Sequence, residues 1–278
     1  MPQIPLNGAL FEYSIAGPSD GLLIILLHGG RGFGSHGADF RAYQPLTDRY
    51  RVLGFDFRGH GRSACTPPYT FAQLVDDIEA FRAHFAGDAR AVVAGGSFGG
   101  YLAQQYAITY PDKLSHLVLR GTAPSHHHEE EALGTFQAHL HRAPNASLAM
   151  LRKVFSAFED DVEFRLIIFA LGPLYVETYD ADAALRSNRQ TVFRAETHNA
   201  LYSESEKYFD YRDALGRVTA KTLVIVGEQD WICPPSQSKI IAVRIPNARL
   251  IVVPGANHSV QHEKNELFVQ AVRELLAS

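Results

Sequence analysis

The chain has 278 residues, 46% hydrophobic and 20% charged, with a formal net charge of −4. That length suits one large α/β domain with an insertion, and the charge balance excludes nucleic acid as main partner, since a phosphate backbone calls for a basic face. The two cysteines, Cys65 and Cys233, offer neither a disulfide framework nor a zinc site, and the longest apolar run, LLIILL at 22–27, is too short to span a bilayer.

The opening segment MPQIPLNGALFEYS has neither the basic segment nor the apolar stretch of a signal peptide. A soluble cytoplasmic protein is therefore expected, and the sequons at Asn145 and Asn257 are read as chance. Asn7-Gly8 between two short runs predicts a hairpin. Six further runs read as strands buried on both faces: LLIILL (22–27), RVLGFDF (51–57), ARAVVAG (89–95), LSHLVLRG (114–121), KTLVIVG (221–227) and RLIVVPG (249–255). YLAQQYAITYP after the third has helical spacing and stops at Pro111, and KNELFVQAVRELLA closes the chain as a helix. Short buried strands alternating with helices predict a mostly parallel sheet covered on both faces. From Ser125 to Gly216 the pattern turns helical and aromatic. A core of 1–124 and 217–278 with a helical cap of 125–216 follows, the cap sitting over the strand ends where α/β sheets bind ligands.

The stretch GGSFGG at 95–100 lies between a strand and a helix. A strand, then G-x-S-x-G, then a helix forms a nucleophile elbow: the turn strains the serine backbone and exposes its Oγ at the sheet edge. Gly95 and Gly99 give strand and helix room to approach. A serine hydroxyl needs a base to take its proton and an acid to orient that base. On this arrangement they follow in the order Ser, Asp or Glu, His. The loop VGEQDWICP supplies Asp230, with Glu228 as a lesser candidate nearer the strand end, and PGANHSV supplies His258. His262 lies too far along toward the last helix. Negative charge developing on a carbonyl oxygen calls for fixed N–H donors. The amide of Phe98, next after the nucleophile, is one, and HGGRG (28–32) offers the other, with Gly30 chosen because a close-approaching backbone favours glycine.

These pieces together resemble the α/β-hydrolase superfamily over essentially the whole chain. HGGRG, DFRGHGRS and GGSFGG are similar to the proline iminopeptidase branch, which typically shows H-G-G-P-G, D-x-R-G-x-G-x-S and G-G-S-W-G. The resemblance implies Ser97, Asp230 and His258 as a triad, with Asp56, Arg58 and Ser63 pinning the loop beneath the site. Arg31 stands where the branch has proline, and Phe98 where it often has tryptophan. Acidic residues of the cap and acid loop bind the substrate's free amine in that branch, and some members carry a glutamate directly after the triad aspartate. Here that position is Trp231, an apolar wall in place of a carboxylate. Arg31 and Trp231 are expected to contact substrate. Glu196, Glu204 and Glu206 in the cap could also serve an amine, though such residues are more often solvated.

SHHHEEE at 125–131 invites a metal reading, but consecutive helical residues point in different directions and no second cluster completes a site. No metal or cofactor is expected. The partner is a small-molecule substrate, and the sequence assigns no oligomeric state. The leading expectation is a serine hydrolase that cleaves a small amide, ester or lactone through an acyl-enzyme. A carboxylesterase or lactonase without aminopeptidase activity, a carbon–carbon bond hydrolase and a non-catalytic ligand receptor are the alternatives. Dehalogenases and epoxide hydrolases are disfavoured, because their elbow carries an aspartate where this chain has Ser97.

Overall fold

Asn7 and Gly8 turn the chain with positive φ, 43° and 77°, the left-handed pair that a two-residue hairpin requires. They join β1 (Gln3–Leu6) to β2 (Ala9–Ala16), and β2 pairs antiparallel with β4 (Arg51–Phe55). The computed structural model describes residues 2–277. The remaining pairings are parallel and bring in β3 (Leu23–Leu27), β5 (Ala91–Gly96), β6 (Leu114–Arg120), β7 (Lys221–Gly227) and β8 (Arg249–Val253). One eight-stranded sheet results, in the order β1-β2-β4-β3-β5-β6-β7-β8.

Strand alternation separates two cores. Leu23, Ile25 and Leu27 of β3 pack on one face with α2 (Phe71–Ala86) and α3 (Phe98–Thr109). Ile24 and Leu26 face the other side, against α1 (Gly37–Tyr43) and the C-terminal helix Asn265–Leu276. Helices thus cover both faces, and β3 and β5 are buried throughout. This is the expected mostly parallel α/β architecture.

Between β6 and β7 the chain builds α4 (His128–His139), α5 (Leu148–Val154), α6 (Asp161–Leu171), α7 (Ala181–Gln190) and α8 (Ala195–Leu201). Ser147, Asp160 and Asp180 cap three of them, each side chain accepting an N–H three residues on. After β7 come α9 (Pro235–Arg244) and, after β8, α10 (Val260–Glu263); the C-terminal helix is α11. No helix among the described residues is long and apolar enough to cross a membrane.

Candidate active site

Ser97 occupies the joint between β5 and α3 with φ 53° and ψ −122°, a conformation that costs strain energy in a residue with a side chain. The surroundings enforce it. A Cβ on Gly95 would lie 2.2 Å from the Gly99 carbonyl oxygen, and one on Gly99 would lie 2.1 Å from that of Leu27. Only glycine lets β5, α3 and β3 approach this closely. Backbone bonds hold the turn: Ser97 N–H donates to Arg120 O at 3.0 Å, and Gly100 N–H donates to Ser97 O at 2.9 Å. The Thr122 hydroxyl donates to the same Ser97 carbonyl.

Asp230 and His258 leave the ends of β7 and β8, on the same edge of the sheet as Ser97. His258 Nδ1–H donates to Asp230 Oδ2 at 2.8 Å. The other oxygen, Oδ1, accepts the amides of Ile232 and Cys233 at 3.2 and 2.9 Å. Both carboxylate oxygens are thereby occupied, and the carboxylate is only 3% exposed as a residue. Glu228, by contrast, is exposed. With Nδ1 carrying its proton, the Nε2 of His258 is the free base position of the ring.

The loop after β3 reaches this edge as well. A Cβ on Gly29 would stand 3.3 Å from the Ser97 Cβ, and Gly30 turns the chain at φ +88°. The amides of Gly30 and Phe98 have no protein acceptor among the described residues. The loop is anchored from below by the segment after β4. His60 Nδ1–H donates to Arg58 O, which leaves Nε2 to accept the Gly32 amide at 2.8 Å. Burial pushes that imidazole down to about 3, so it stays neutral and keeps the acceptor this bond needs. Ser63 Oγ donates to Asp56 O, Asp56 Oδ1 accepts His36 Nδ1–H, and Arg58 makes a two-point ion pair with Asp77 at 2.6 Å. These bonds fix the segment after β4, and within it His60, which the motif reading does not assign, is the residue bonded to the loop.

Ser97, Phe98, Gly30 and His258 all line one cavity of about 690 Å³. Its far wall comes from the helices between β6 and β7, including Phe155, Phe164, Tyr175 and Tyr202. A strand-end serine, a carboxylate-bound imidazole and unpaired amides around one cavity can together attack a carbonyl, move its proton and bind the resulting oxyanion.

The family model of the alpha/beta hydrolase fold matches residues 23–265. The chain belongs to the α/β-hydrolase family. Among curated relatives, it is 56% identical over 275 residues to the proline iminopeptidase PfmaB of Pestalotiopsis fici, covering 98% of both chains. It is 30% identical to a pimeloyl-[acyl-carrier protein] methyl ester esterase of Chromobacterium violaceum, covering 91% of this chain and 93% of that one. Among solved structures, the enol-lactonase of Burkholderia xenovorans superposes with a TM-score of 0.76 at 23% identity over 100% of both chains, a likeness of fold. The hydrolase is therefore proline iminopeptidase-like in its sequence.

The substrate-contact expectations fare differently in this α/β-hydrolase. Trp231 is 1% exposed and packs between Phe136 and Tyr175. It does not line the cavity; its neighbour Ile232 does. The expected apolar wall thus belongs to Ile232, because Trp231 turns into the packing beneath α4. Arg31 does line the cavity, yet its guanidinium is boxed by Phe71, Phe98, Tyr101, Tyr202 and Phe209, nearest the Tyr202 ring at 3.9 Å. Such contacts join core to insertion by cation–π attraction. Glu196 and Glu204 are exposed, Glu204 pairing with Lys207, and Glu206 accepts the Phe71 amide.

The SHHHEEE stretch is more than a polar helix start. His128 is buried at the cavity, donating through Nδ1 to Ser125 O and accepting the Tyr101 hydroxyl at Nε2. Glu129 is half-buried, and burial raises its carboxyl to about 7, against the lowering pull of Arg31. Neither was legible locally. The signal for His128 is its contact with Tyr101, a helix away in sequence.

Proposed function

We propose that this protein is a serine hydrolase in which Ser97 Oγ attacks an acyl carbonyl, His258 Nε2 takes its proton, and Asp230 orients and stabilises the imidazolium. The Gly30 and Phe98 amides receive the oxyanion, and His258 returns the proton to the leaving group. Water then repeats the sequence on the acyl-enzyme and frees Ser97. In this reading 125–216 caps a core made of 1–124 and 217–278. The observation that carries it is the 2.8 Å bond from His258 Nδ1 to a buried Asp230, on the strand edge that also presents Ser97 in its strained turn. Relatives named as a proline iminopeptidase and a methyl ester esterase support this reading, since amide and ester bonds can both be cleaved by this acyl chemistry.

For the substrate, the lining of the cavity favours a neutral ester or lactone with an apolar acyl group over a free-amine prolyl amide. An ammonium beside the scissile bond needs a carboxylate. The acidic side chains lining the cavity are Glu12, Asp39 and Asp56, all from the core. Asp56 is engaged with His36, and Asp39 with Gln261. Arg31 brings a cation to the same lining, and Glu129, the insertion carboxyl that interacts with it, is not among the lining residues. A second reading, a proline iminopeptidase acting on free-amine prolyl substrates, is favoured by the 56% identical relative named a proline iminopeptidase.

Two measurements test these readings. A fluorophosphonate should label wild type and not Ser97→Ala, which should also lose kcat by several orders of magnitude while remaining folded. Labelling retained at another serine, or tight binding of substrate without turnover in the wild type, would overturn the hydrolase mechanism. The second is kcat/KM for a prolyl arylamide, its N-acylated form, a short ester and a lactone. The ester or lactone should be preferred, and a strong preference for the free-amine amide would establish the second reading instead.

A further inference from the structure

Arg120 ends β6, between β5 and β7, and its side chain is buried. Its backbone carbonyl accepts the Ser97 amide at 3.0 Å, so it already holds the nucleophile turn. Its guanidinium runs the other way. Nη1 donates to the His258 carbonyl at 3.1 Å, and Nη2 faces Asp39 Oδ1 at 3.5 Å. Asp39 is itself fixed by Gln261 Nε2 at 2.9 Å. One residue therefore touches both the serine turn and the histidine loop.

The position of the guanidinium accounts for a glycine that the elbow pattern leaves open. Gly96 is the x of G-x-S-x-G, where many residues are compatible with the turn. Here a Cβ on Gly96 would lie 1.9 Å from Arg120 Nη2 and 2.3 Å from its Cζ. The slot left by the absent side chain is filled by the guanidinium. The His258 loop is also held by Asn257, whose Oδ1 accepts the His258 amide and whose Nδ2 donates to Glu177 in the insertion, by Glu263, which accepts the Asn257 amide, and by the Gln229 amide donating to Ala256 O. Arg120 ties this loop to the end of β6, and its own carbonyl holds the Ser97 amide of the elbow. A charge-assisted bond to a carbonyl is stronger and more directional than a neutral one.

We propose that Arg120 is a positioning residue for the reaction: seated in the Gly96 slot, it fixes the His258 backbone and through it the imidazole relative to Ser97. The inference rests on the Ser97–His258–Asp230 reading. Its failure is distinguishable from failure of that reading, because Ser97→Ala tests the latter with Arg120 untouched. A small misplacement of a catalytic group can cost about 100-fold in rate, so Arg120→Gln should lower kcat by about 10- to 100-fold with KM nearly unchanged. Fluorophosphonate labelling of Ser97 should slow in parallel. Arg120→Lys should fall between the two, since one ammonium cannot reach His258 O and Asp39 with the same fork geometry.

Two further readouts separate positioning from general loosening. The downfield proton resonance of His258 Nδ1–H should shift or broaden in Arg120→Gln. Gly96→Ala, which pushes the guanidinium out of its slot, should lower kcat similarly, and the double variant should be no worse than the poorer single one. A folded Arg120→Gln with wild-type kcat and an unchanged His258 resonance would overturn the proposal, as would fully additive losses in the double variant. Should Arg120→Gln fail to fold, Arg120→Lys decides: reduced kcat with Tm near wild type supports the inference, and wild-type kcat overturns it.

Discussion

The acid loop after β7 offers two carboxylates two residues apart, and their surroundings differ sharply. Asp230 accepts three hydrogen bonds, from His258 Nδ1 and two loop amides, whereas Glu228 is exposed. An orienting carboxylate holds the imidazole in one tautomer and stabilises its cation; an amide in its place favours the wrong tautomer. Asp230→Asn should therefore lower kcat by about four orders of magnitude, while Glu228→Gln should stay near wild type. A larger loss in Glu228→Gln, measured on the same ester, would reverse the assignment. Position in the loop pointed to Asp230 from the sequence, because a residue just past a strand end stands at the ligand edge. The expectation for the adjacent Trp231 came instead from the branch pattern, which places a glutamate there in some members, and the cavity lining does not include it. Loop position does not say which of two neighbours turns inward, and Trp231 is held among Phe136 and Tyr175. Introducing a carboxylate there would bury it without a partner and would not present it to a substrate.

Elements are tied together here by buried polar contacts that no single element displays. α2 is not among the elements predicted above, although Phe71, Leu74, Val75, Ile78 and Phe81 keep helical spacing and are all buried. Thr70 also caps its start by accepting the Gln73 amide. Its role goes beyond covering the sheet. Asp77 on α2 grips Arg58 through two 2.6 Å bonds, with both side chains almost wholly buried. Arg58 in turn sits beside His60, which holds the Gly32 amide in the loop at the site. Removing one member of a buried pair leaves the other charge uncompensated, at a cost of about 3–5 kcal/mol. Asp77→Ala should lose about that much in urea unfolding, and kcat should fall with it as the loop loosens. A loss below about 1 kcal/mol, the range of exposed pairs, would show that α2 does not anchor the loop through this contact.

Across the whole molecule, several buried imidazoles are kept neutral. Burial pushes His60, His128 and His198 down to about 3 each, and lowers His28 as well. His198 and His128 belong to the insertion, while His28 and His60 belong to the core, so protonation would strain both sides of the cavity together. Their folded-state values lie below the ordinary 6.5, so in acid the unfolded chain binds protons that the folded chain refuses. Stability is then complete above about pH 6.5 and drains away as pH falls towards 3, by as much as about 1.4 kcal/mol per pH unit for each such group. Urea midpoints at pH 8.5, 7.5, 5.5 and 4.5 should be nearly level between the first two and then fall steadily, well above the carboxylate range. A flat profile down to pH 5 would mean that these rings accept protons within the fold. By itself the sequence determined the strand runs, the hairpin, the Gly95 and Gly99 clearances around Ser97, and the order of Ser97, Asp230 and His258 along the chain. Those features are written in local periodicity and in backbone conformations that neighbouring residues alone require. Only the tertiary structure decided that Ile232 rather than Trp231 faces the cavity, that His128 is buried and Glu129 half-buried, that Arg31 lies among aromatic rings from core and insertion, and that Arg120 fills the space Gly96 leaves. Each of these depends on partners far away in sequence, and burial and charge at a position are set by what folds against it.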